Sequence, residues 1–147
     1  MSYSVMLVGL GQIGMGYDLT IDSKAIVYTH ARAIKQHSNF NLIAAVDEDS
    51  VRCKEFEDLY DCVTYNNINL ALSEHSPDLV IIAVPTIAHY EVLITILNLS
   101  KPLVILCEKP LSYSLEESRS MVAACHEKGV KLYVNYMRRS DPGVIEI

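Results

Sequence analysis

Three glycines near the start of the chain have a spacing that can hold a phosphate group. Gly9, Gly11 and Gly14 form G-x-G-x-x-G directly after an apolar run at residues 4–8. In this pattern a tight turn brings backbone amides close to a pyrophosphate, and a helix follows at once. The motif alone is weak evidence, because three glycines can mark any tight turn. A second apolar run ends in Asp47, whose carboxylate can accept hydrogen bonds from ribose hydroxyls, and this pairing favours a dinucleotide site.

The segment between the glycines and Asp47 is longer than the motif expects. Gly14 and Asp47 are 33 positions apart. The fingerprint expects about 20, so about 13 residues are surplus. The expected helix comes late, at residues 29–35, where His30 follows Gly14 by sixteen positions. We therefore expect an insertion near residues 15–28 that interrupts an otherwise intact motif.

Two roles are open for this insertion. Asp18 and Asp22 would be repelled by a pyrophosphate, so the segment is expected to arch outward and to leave the amides of the glycine turn facing the ligand. It is then either a tolerated surface loop or a lid over cofactor or substrate. In the second case Tyr17 or Tyr28 would make the contact.

The residues around Asp47 favour NAD over NADP. Asp47 is followed by Glu48 and Asp49, and a 2′-phosphate would face this negative charge. Arg52 is the nearest base, and we interpret it as a solvated helix residue rather than a phosphate clamp. The sequence therefore predicts NAD as the cofactor.

These motifs lie at the ends of short apolar runs, which are typical of strands buried on both faces. The runs are residues 4–8, 41–46, 78–84, 103–107 and 131–134, with a weaker one at 61–64. Helical spacing lies between them at residues 50–60 and 87–99, and after Ser114, where S-x-x-E forms a capping box and Gly129 supplies a stop. This alternation predicts an α/β fold, a Rossmann-type doubly wound parallel sheet of about six strands in the order 3-2-1-4-5-6. Its ligands would lie at the carboxyl ends of the strands, where the order reverses.

Composition excludes several other classes. The 147 residues are 50% hydrophobic and have a formal net charge of −6, which disfavours disorder and nucleic-acid binding. No apolar run approaches the roughly 18 residues of a membrane span, and the start lacks the features of a secretory signal. The four cysteines are scattered, and no set of His, Cys and carboxylate positions has metal-ligand spacing. We expect a cytoplasmic protein with no metal and no membrane partner.

Three further stretches carry a family resemblance. "AVPTIAHYEVL" at residues 83–93, "CEKPLSYSLEES" at 107–118 and "VNYMRRSDP" at 134–142 together resemble the Gfo/Idh/MocA oxidoreductases. "THARAI" also matches the first helix of that family, in which a histidine follows the glycine motif closely. The resemblance covers practically the whole chain, and E-K-P after a strand is its most specific element.

The resemblance implies roles for particular residues. The pyrophosphate would pack against Gly9, Gly11, Gln12, Ile13 and Gly14, with Asp47 on the ribose. The path of the dinucleotide toward the nicotinamide would be lined by Val84, Pro85, Thr86 and His89, with Glu108 close by. Lys109 would be the catalytic residue beside the transferred hydride, and the peptide bond before Pro110 is commonly cis in this family.

The chemistry of Lys109 agrees with that role. Oxidation of a carbinol requires loss of the hydroxyl proton, and a partly desolvated ammonium can hold the developing alkoxide or relay its proton. For His89 two interpretations stay open, because a histidine opening an apolar helix can contact the cofactor or simply satisfy a nearby backbone group.

The resemblance also implies a division into domains. Residues 1–136 would form the dinucleotide-binding domain, and residues 137–147 would begin the linker to a substrate-binding domain that this chain lacks, whether as a fragment or as a truncated gene product. The expected function is hydride transfer between a nicotinamide cofactor and a hydroxyl of a sugar, sugar-nucleotide or cyclitol, in a full-length protein that forms homo-oligomers. A non-catalytic NAD-binding regulatory module, or the first domain of another two-domain reductase, are the alternatives.

Overall fold

A six-stranded parallel sheet forms the centre of the chain. The computed structural model describes residues 2–20 and 26–137. The strands are Tyr3–Val8 (β1), Phe40–Val46 (β2), Thr64–Tyr65 (β3), Leu79–Ile82 (β4), Val104–Glu108 (β5) and Lys131–Asn135 (β6). They pair in the order β3-β2-β1-β4-β5-β6. The predicted Rossmann-type sheet and its strand order are confirmed.

The α-helices lie between the strands, and all but the one that begins at His89 start at a side-chain cap. They are His30–Gln36 (α1), Ser50–Tyr60 (α2), Ile68–Glu74 (α3), His89–Leu99 (α4) and Leu115–Lys128 (α5). The N-cap oxygens come from Thr29, Asp49, Asn67 and Ser114. Each cap oxygen accepts an amide hydrogen that the first helical turn leaves without a partner. Gly129, with φ +69°, ends α5 as predicted.

Two local predictions differ from the structure. The strand expected at residues 61–64 is only Thr64–Tyr65, because Asp61 adopts a left-handed conformation (φ 50°) that ends α2 and delays pairing with β2. The helix α3 was not predicted at all. The apolar run of α3 is short, and the signal for the start of the helix is its N-cap residue, Asn67. The Asn67 side chain accepts hydrogen bonds from the amides of Asn69 and Leu70.

Two apolar layers cover the sheet. Along β1, Val5 and Leu7 pack with α1 and α2 on one face, whereas Met6 and Val8 pack with α3, α4 and α5 on the other. All four side chains are at most 3% exposed, so residues 5–8 of the strand are buried on both faces rather than at alternate positions. Within the described residues no helix is long and apolar enough to cross a membrane.

The helices on opposite faces leave a crevice at the carboxyl edge of the sheet. The chain passes from β1 to α1 on one face and from the neighbouring β4 to α4 on the other. At such a switch point the two connections diverge and open a cleft for a ligand. The glycine motif follows β1 and therefore borders this crevice.

Candidate functional site

The three glycines of the turn meet three different steric demands. Gly9 has φ +99°, and a Cβ there would lie 2.5 Å from the backbone carbon of Ala83. A Cβ at Gly14 would overlap the Gly9 carbonyl oxygen, so this position needs glycine for close packing inside the turn. Gly11 differs, because a Cβ there would have no neighbour within 4 Å. The fold itself does not require glycine at Gly11.

Gly11 borders a cavity of about 930 Å³ at the carboxyl edge of the sheet. Its wall includes seven of the residues expected to bind the cofactor: Gly9, Gly11, Gln12, Ile13, Asp47, Val84 and Pro85. Gly14, Thr86, His89, Glu108 and Lys109 are not part of its wall. The missing Cβ of Gly11 leaves room for a ligand to approach the backbone, which is the role of the second glycine in a dinucleotide fingerprint.

Asp47 is joined directly to the glycine turn. One carboxylate oxygen accepts from the Leu10 amide at 2.7 Å, and the other accepts from the Asp49 amide at 2.9 Å. The first of these bonds fixes the end of β2 against the turn that follows β1. The carboxylate therefore lies on the cavity wall in a defined orientation.

Arg52 is an exposed residue of α2, and its guanidinium lies close to two acidic side chains. Its guanidinium lies 3.6 Å from a carboxylate oxygen of Asp47 and 3.6 Å from one of Asp49. The first turn of α2 brings Arg52 back over both carboxylates at the rim of the cavity. The positive charge at this end of the site is thus neutralised by two acidic side chains.

Glu108, at the end of β5, joins three elements. Its Oε1 accepts from His30 Nε2 at 2.7 Å and from Asn135 Nδ2 at 2.6 Å. Burial raises the pKa of Glu108, but the hydrogen bonds from His30 and Asn135 outweigh it, and the pKa lies below its ordinary value of 4.5. The carboxylate is therefore held ionised between α1 and β6.

Lys109 follows this carboxylate, and its side chain is exposed. The backbone amide of Lys109 donates to Glu108 Oε2 at 3.3 Å, and the Lys109–Pro110 peptide bond is cis. The described part of the chain does not supply the partial desolvation that was expected for the ammonium. Any desolvation must come from a ligand or from residues that the structure does not describe.

His89 is 1% exposed, and its two ring nitrogens lie close to two backbone carbonyls, to one of which the neutral ring can donate. Its Nε2 lies 3.0 Å from the Val84 oxygen, and its Nδ1 lies 3.2 Å from the Leu111 oxygen. The ring thus bridges the segment after β4 and the segment after β5. This geometry favours the interpretation that His89 satisfies backbone groups and positions both segments.

The helix after the glycine turn is interrupted and then resumes. The His30 amide donates to the Ile13 carbonyl at 3.1 Å, and the Ala31 amide donates to the Gly14 carbonyl at 3.0 Å. In a continuous α-helix these carbonyls would accept from residues 17 and 18, four positions further on. Residues 30 and 31 take those two places instead, so α1 continues the helical pattern of the turn, and we call the intervening residues 17–29 the looped-out segment.

Asp18 closes this looped-out segment, a role that the sequence reasoning missed. The side chain is 4% exposed and accepts from the Thr29 amide at 2.9 Å and from the Thr29 hydroxyl at 2.5 Å. The Tyr28 amide donates to it at 3.2 Å, and the Arg32 guanidinium lies 3.3 Å away. Asp18 was expected to be turned outward, but it is buried between the two ends of the segment. Asp22 lies outside the described residues.

Burial disfavours the thiolate form of three cysteines, Cys62, Cys107 and Cys125, by raising their pKa. All four cysteines of the chain are free thiols, and burial raises the pKa of Cys62 to about 11 and that of Cys107 to about 12. Within residues 2–20 and 26–137, no three His, Cys, Asp or Glu side chains form a group that could hold a metal ion.

Comparison with known proteins decides the family. Residues 4–136 match the model of the Gfo/Idh/MocA oxidoreductase family, NAD-binding Rossmann fold. The chain belongs to this family. The expectation drawn from the "EKP" and "THARAI" stretches is thus confirmed, and the chain carries the NAD-binding domain of these oxidoreductases.

Individual Gfo/Idh/MocA relatives are longer than this chain. It is 28% identical over 138 residues to the uncharacterized oxidoreductase YrbE of Bacillus subtilis, covering 92% of this chain and 36% of YrbE. It is 24% identical over 148 residues to inositol 2-dehydrogenase of Salmonella paratyphi B, covering 100% of this chain and 40% of that protein. The WlbA dehydrogenase of Bordetella pertussis, solved with NADH and UDP-GlcNAcA, has the same fold, with a TM-score of 0.83 at 23% identity over 98% of this chain and 38% of that one.

The cavity of this Gfo/Idh/MocA domain also has walls that the sequence reasoning did not identify. They come from the segment after β3, from the turn before α4 and from α4 itself, and include Asn66, Asn67, Ile68, Asn69, Ile87, Glu91 and Thr95. The sequence signal that could have identified them is the position of Asn66 directly after a strand, at the edge of the sheet where ligands are expected. It was missed because β3 is short and α3 was not predicted.

Proposed function

We propose that this chain is the cofactor-binding part of an NAD-dependent dehydrogenase that oxidises a hydroxyl group of a sugar, a sugar-nucleotide or a cyclitol. The observation that carries the proposal is the open space at Gly11, which faces a cavity bordered by Asp47. A backbone position that needs no glycine for folding but faces a ligand-sized space is what a bound pyrophosphate requires. The residues present therefore fit NAD.

The pyrophosphate would be held by the turn formed by Gly9, Gly11, Gln12, Ile13 and Gly14. Backbone amides of such a turn point at the anion and donate hydrogen bonds to it without a counter-charge. Gly9 and Gly14 contribute by keeping the turn tight, and Gly11 contributes by leaving the approach open.

Asp47 would accept hydrogen bonds from the adenosine ribose and would disfavour a 2′-phosphate. Its orientation is already fixed by the Leu10 amide, so no rearrangement is needed on binding. Glu48 and Asp49 add negative charge to the same wall. Arg52 is engaged by Asp47 and Asp49, which weakens its attraction for a phosphate.

The nicotinamide end would lie near Val84, Pro85 and Thr86. Bound NAD supplies the acceptor for the hydride that leaves the carbinol carbon. Lys109 would stabilise the developing alkoxide as an ammonium, or would accept the hydroxyl proton as a neutral amine, and Glu108 would fix the backbone of Lys109 through the bond to its amide. His89 would act indirectly, because its ring nitrogens lie close to backbone carbonyls of the two segments that border this end.

The substrate class rests on the relatives. One is named an inositol dehydrogenase, and another was solved with a sugar nucleotide. The chain spans 36% and 40% of the two curated relatives, so the substrate site and the oligomer contacts of the whole enzyme are assigned to further sequence. The boundary proposed near residue 136 agrees with the family match, and the linker expected at residues 137–147 lies outside the described residues except for Met137. We also propose a cytoplasmic location, on the basis of the free thiols.

Calorimetric titration of this chain with NAD and with NADP tests the cofactor assignment. We expect binding of NAD, and weaker binding of NADP because of the acidic wall at Asp47. Failure to bind either cofactor would refute the proposal. In a longer protein that contains this chain, Lys109→Ala should lower kcat by a factor of about 100 to 10,000, the range for loss of a general acid or base. An unchanged kcat would remove Lys109 from the mechanism.

A further inference from the structure

We propose that Tyr17 is an additional cofactor-binding residue, and that its phenol hydroxyl donates a hydrogen bond to the diphosphate of the bound dinucleotide. The inference deepens the proposed function and rests on it. It assigns a role in cofactor binding to the segment between the glycine turn and α1. It also identifies Tyr17, rather than Tyr28, as the residue that contacts the cofactor.

The first observation is the place of Tyr17. Its amide donates to the Gln12 carbonyl at 2.9 Å, so the residue lies one turn above the glycine motif. The side chain is part of the cavity wall together with Gly11 and Gln12, and it is 54% exposed. Its phenol oxygen has no hydrogen-bond partner within the described residues. A side chain with an unpaired donor thus forms part of the wall of the cavity in which the diphosphate would lie.

The second observation is that the backbone beside Tyr17 is fixed. The next residue, Asp18, is buried and bonded to the far end of the looped-out segment through Thr29. The Arg32 guanidinium adds an ion pair at 3.3 Å, and it also donates to the Asp18 carbonyl at 3.3 Å. The position of Tyr17 is therefore set when the chain folds, and less ordering entropy is lost on binding.

The third observation concerns charge. An exposed carboxylate next to Tyr17 would repel a diphosphate, but the Asp18 carboxylate is buried, paired with Arg32 and absent from the cavity wall. The segment thus offers the anion a neutral hydroxyl donor. A hydrogen bond from a neutral donor to a charged acceptor is among the stronger ones in proteins.

Tyr28 is the matched aromatic control on the other end of the segment. Its exposed fraction, 47%, is close to that of Tyr17, but it is not part of the cavity wall. Only the backbone of Tyr28 helps to join the two ends of the segment, because its amide donates a hydrogen bond to Asp18. Removal of its side chain should therefore leave cofactor binding unchanged.

Fluorescence titration with NADH tests the inference, with adenosine as a competitor that lacks the diphosphate. We expect Tyr17→Phe and Tyr17→Ala to weaken NADH binding by roughly tenfold, as for a lost hydrogen bond to a charged group. Adenosine should bind both variants as it binds the unmodified chain. Tyr28→Ala should bind both ligands normally.

Three results would overturn the inference: normal NADH binding by Tyr17→Phe, an equal loss in Tyr28→Ala, or an equal loss for adenosine. The Tyr17→Phe variant keeps the ring, so it answers the question even where Tyr17→Ala fails to fold. Absence of NADH binding by the unmodified chain would instead refute the proposed function. The two failures are therefore distinguishable.

Discussion

Replacement of Asp18 by alanine should destabilise the chain more than the loss of any exposed carboxylate. The Asp18 side chain accepts hydrogen bonds from the amides of Tyr28 and Thr29 and from the Thr29 hydroxyl, and it pairs with Arg32. Removing one partner of a buried charged pair costs about 3–5 kcal/mol, because the donors that remain are left without an acceptor. We expect a loss of stability in this range for Asp18→Ala.

Urea unfolding provides the assay for this loss. With a slope of about 2 kcal/mol per molar urea, a change of 3–5 kcal/mol lowers the midpoint by roughly 2 M. Asp58→Ala is the control, since it removes the same charge and breaks the Lys54–Asp58 ion pair, whose nitrogen and oxygen are only 2.7 Å apart. That pair is 69% and 63% exposed, so its loss should shift the midpoint little despite the shorter distance. Equal shifts for the two variants would refute the argument that burial, rather than distance, sets the energy.

Further predictions concern the cofactor wall and the network around Glu108. Asp47→Ser should reduce the preference for NAD over NADP in calorimetry, because it frees Arg52 from one carboxylate. We expect Asp47→Ser to bind NADP more tightly than the unmodified chain does, and the double variant Asp47→Ser/Arg52→Ala to lose this increase. An increase that persists in the double variant would exclude Arg52 as its source. Because the pKa of Glu108 is lowered by folding, its ionised form stabilises the chain above its ordinary pKa of 4.5, and this contribution is lost as the pH falls below that value. Glu108→Gln should therefore flatten the decline of stability below pH 4.5 in urea unfolding, and an unchanged decline would contradict this assignment.

The strands and their order could be predicted from the sequence because burial on both faces leaves an unmistakable pattern. In the run at residues 4–8, the four residues that follow Ser4 are all apolar and at most 3% exposed. By contrast, β3 consists of two residues and is positioned by pairing with β2, so its own sequence contains little signal. The start of α3 depends on the Asn67 cap, which many loops also contain.

The candidate site could be predicted where it depends on local spacing, but not where it depends on long-range contacts. The spacing of Gly9, Gly11 and Gly14 predicts a tight turn, and this turn borders the cavity. The bond between His30 and Glu108 joins residues 78 positions apart, and only the fold brings them together. The outward position predicted for Asp18 was wrong because the sequence shows its charge but does not show that Arg32 lies beside it and pairs with it.

Gly11→Ala tests the central claim most directly, because it separates folding from cofactor binding. A Cβ at Gly11 meets no protein atom within 4 Å, so the urea midpoint should stay within the equivalent of about 0.5 kcal/mol. NAD binding, measured by calorimetry, should weaken by at least about tenfold, since the methyl group enters the space that the pyrophosphate needs. Gly14→Ala is the control that should instead destabilise the fold, by about 1–3 kcal/mol, because its Cβ overlaps the Gly9 carbonyl. Normal NAD affinity in a stable Gly11→Ala variant would contradict the assignment of the glycine turn as the cofactor site.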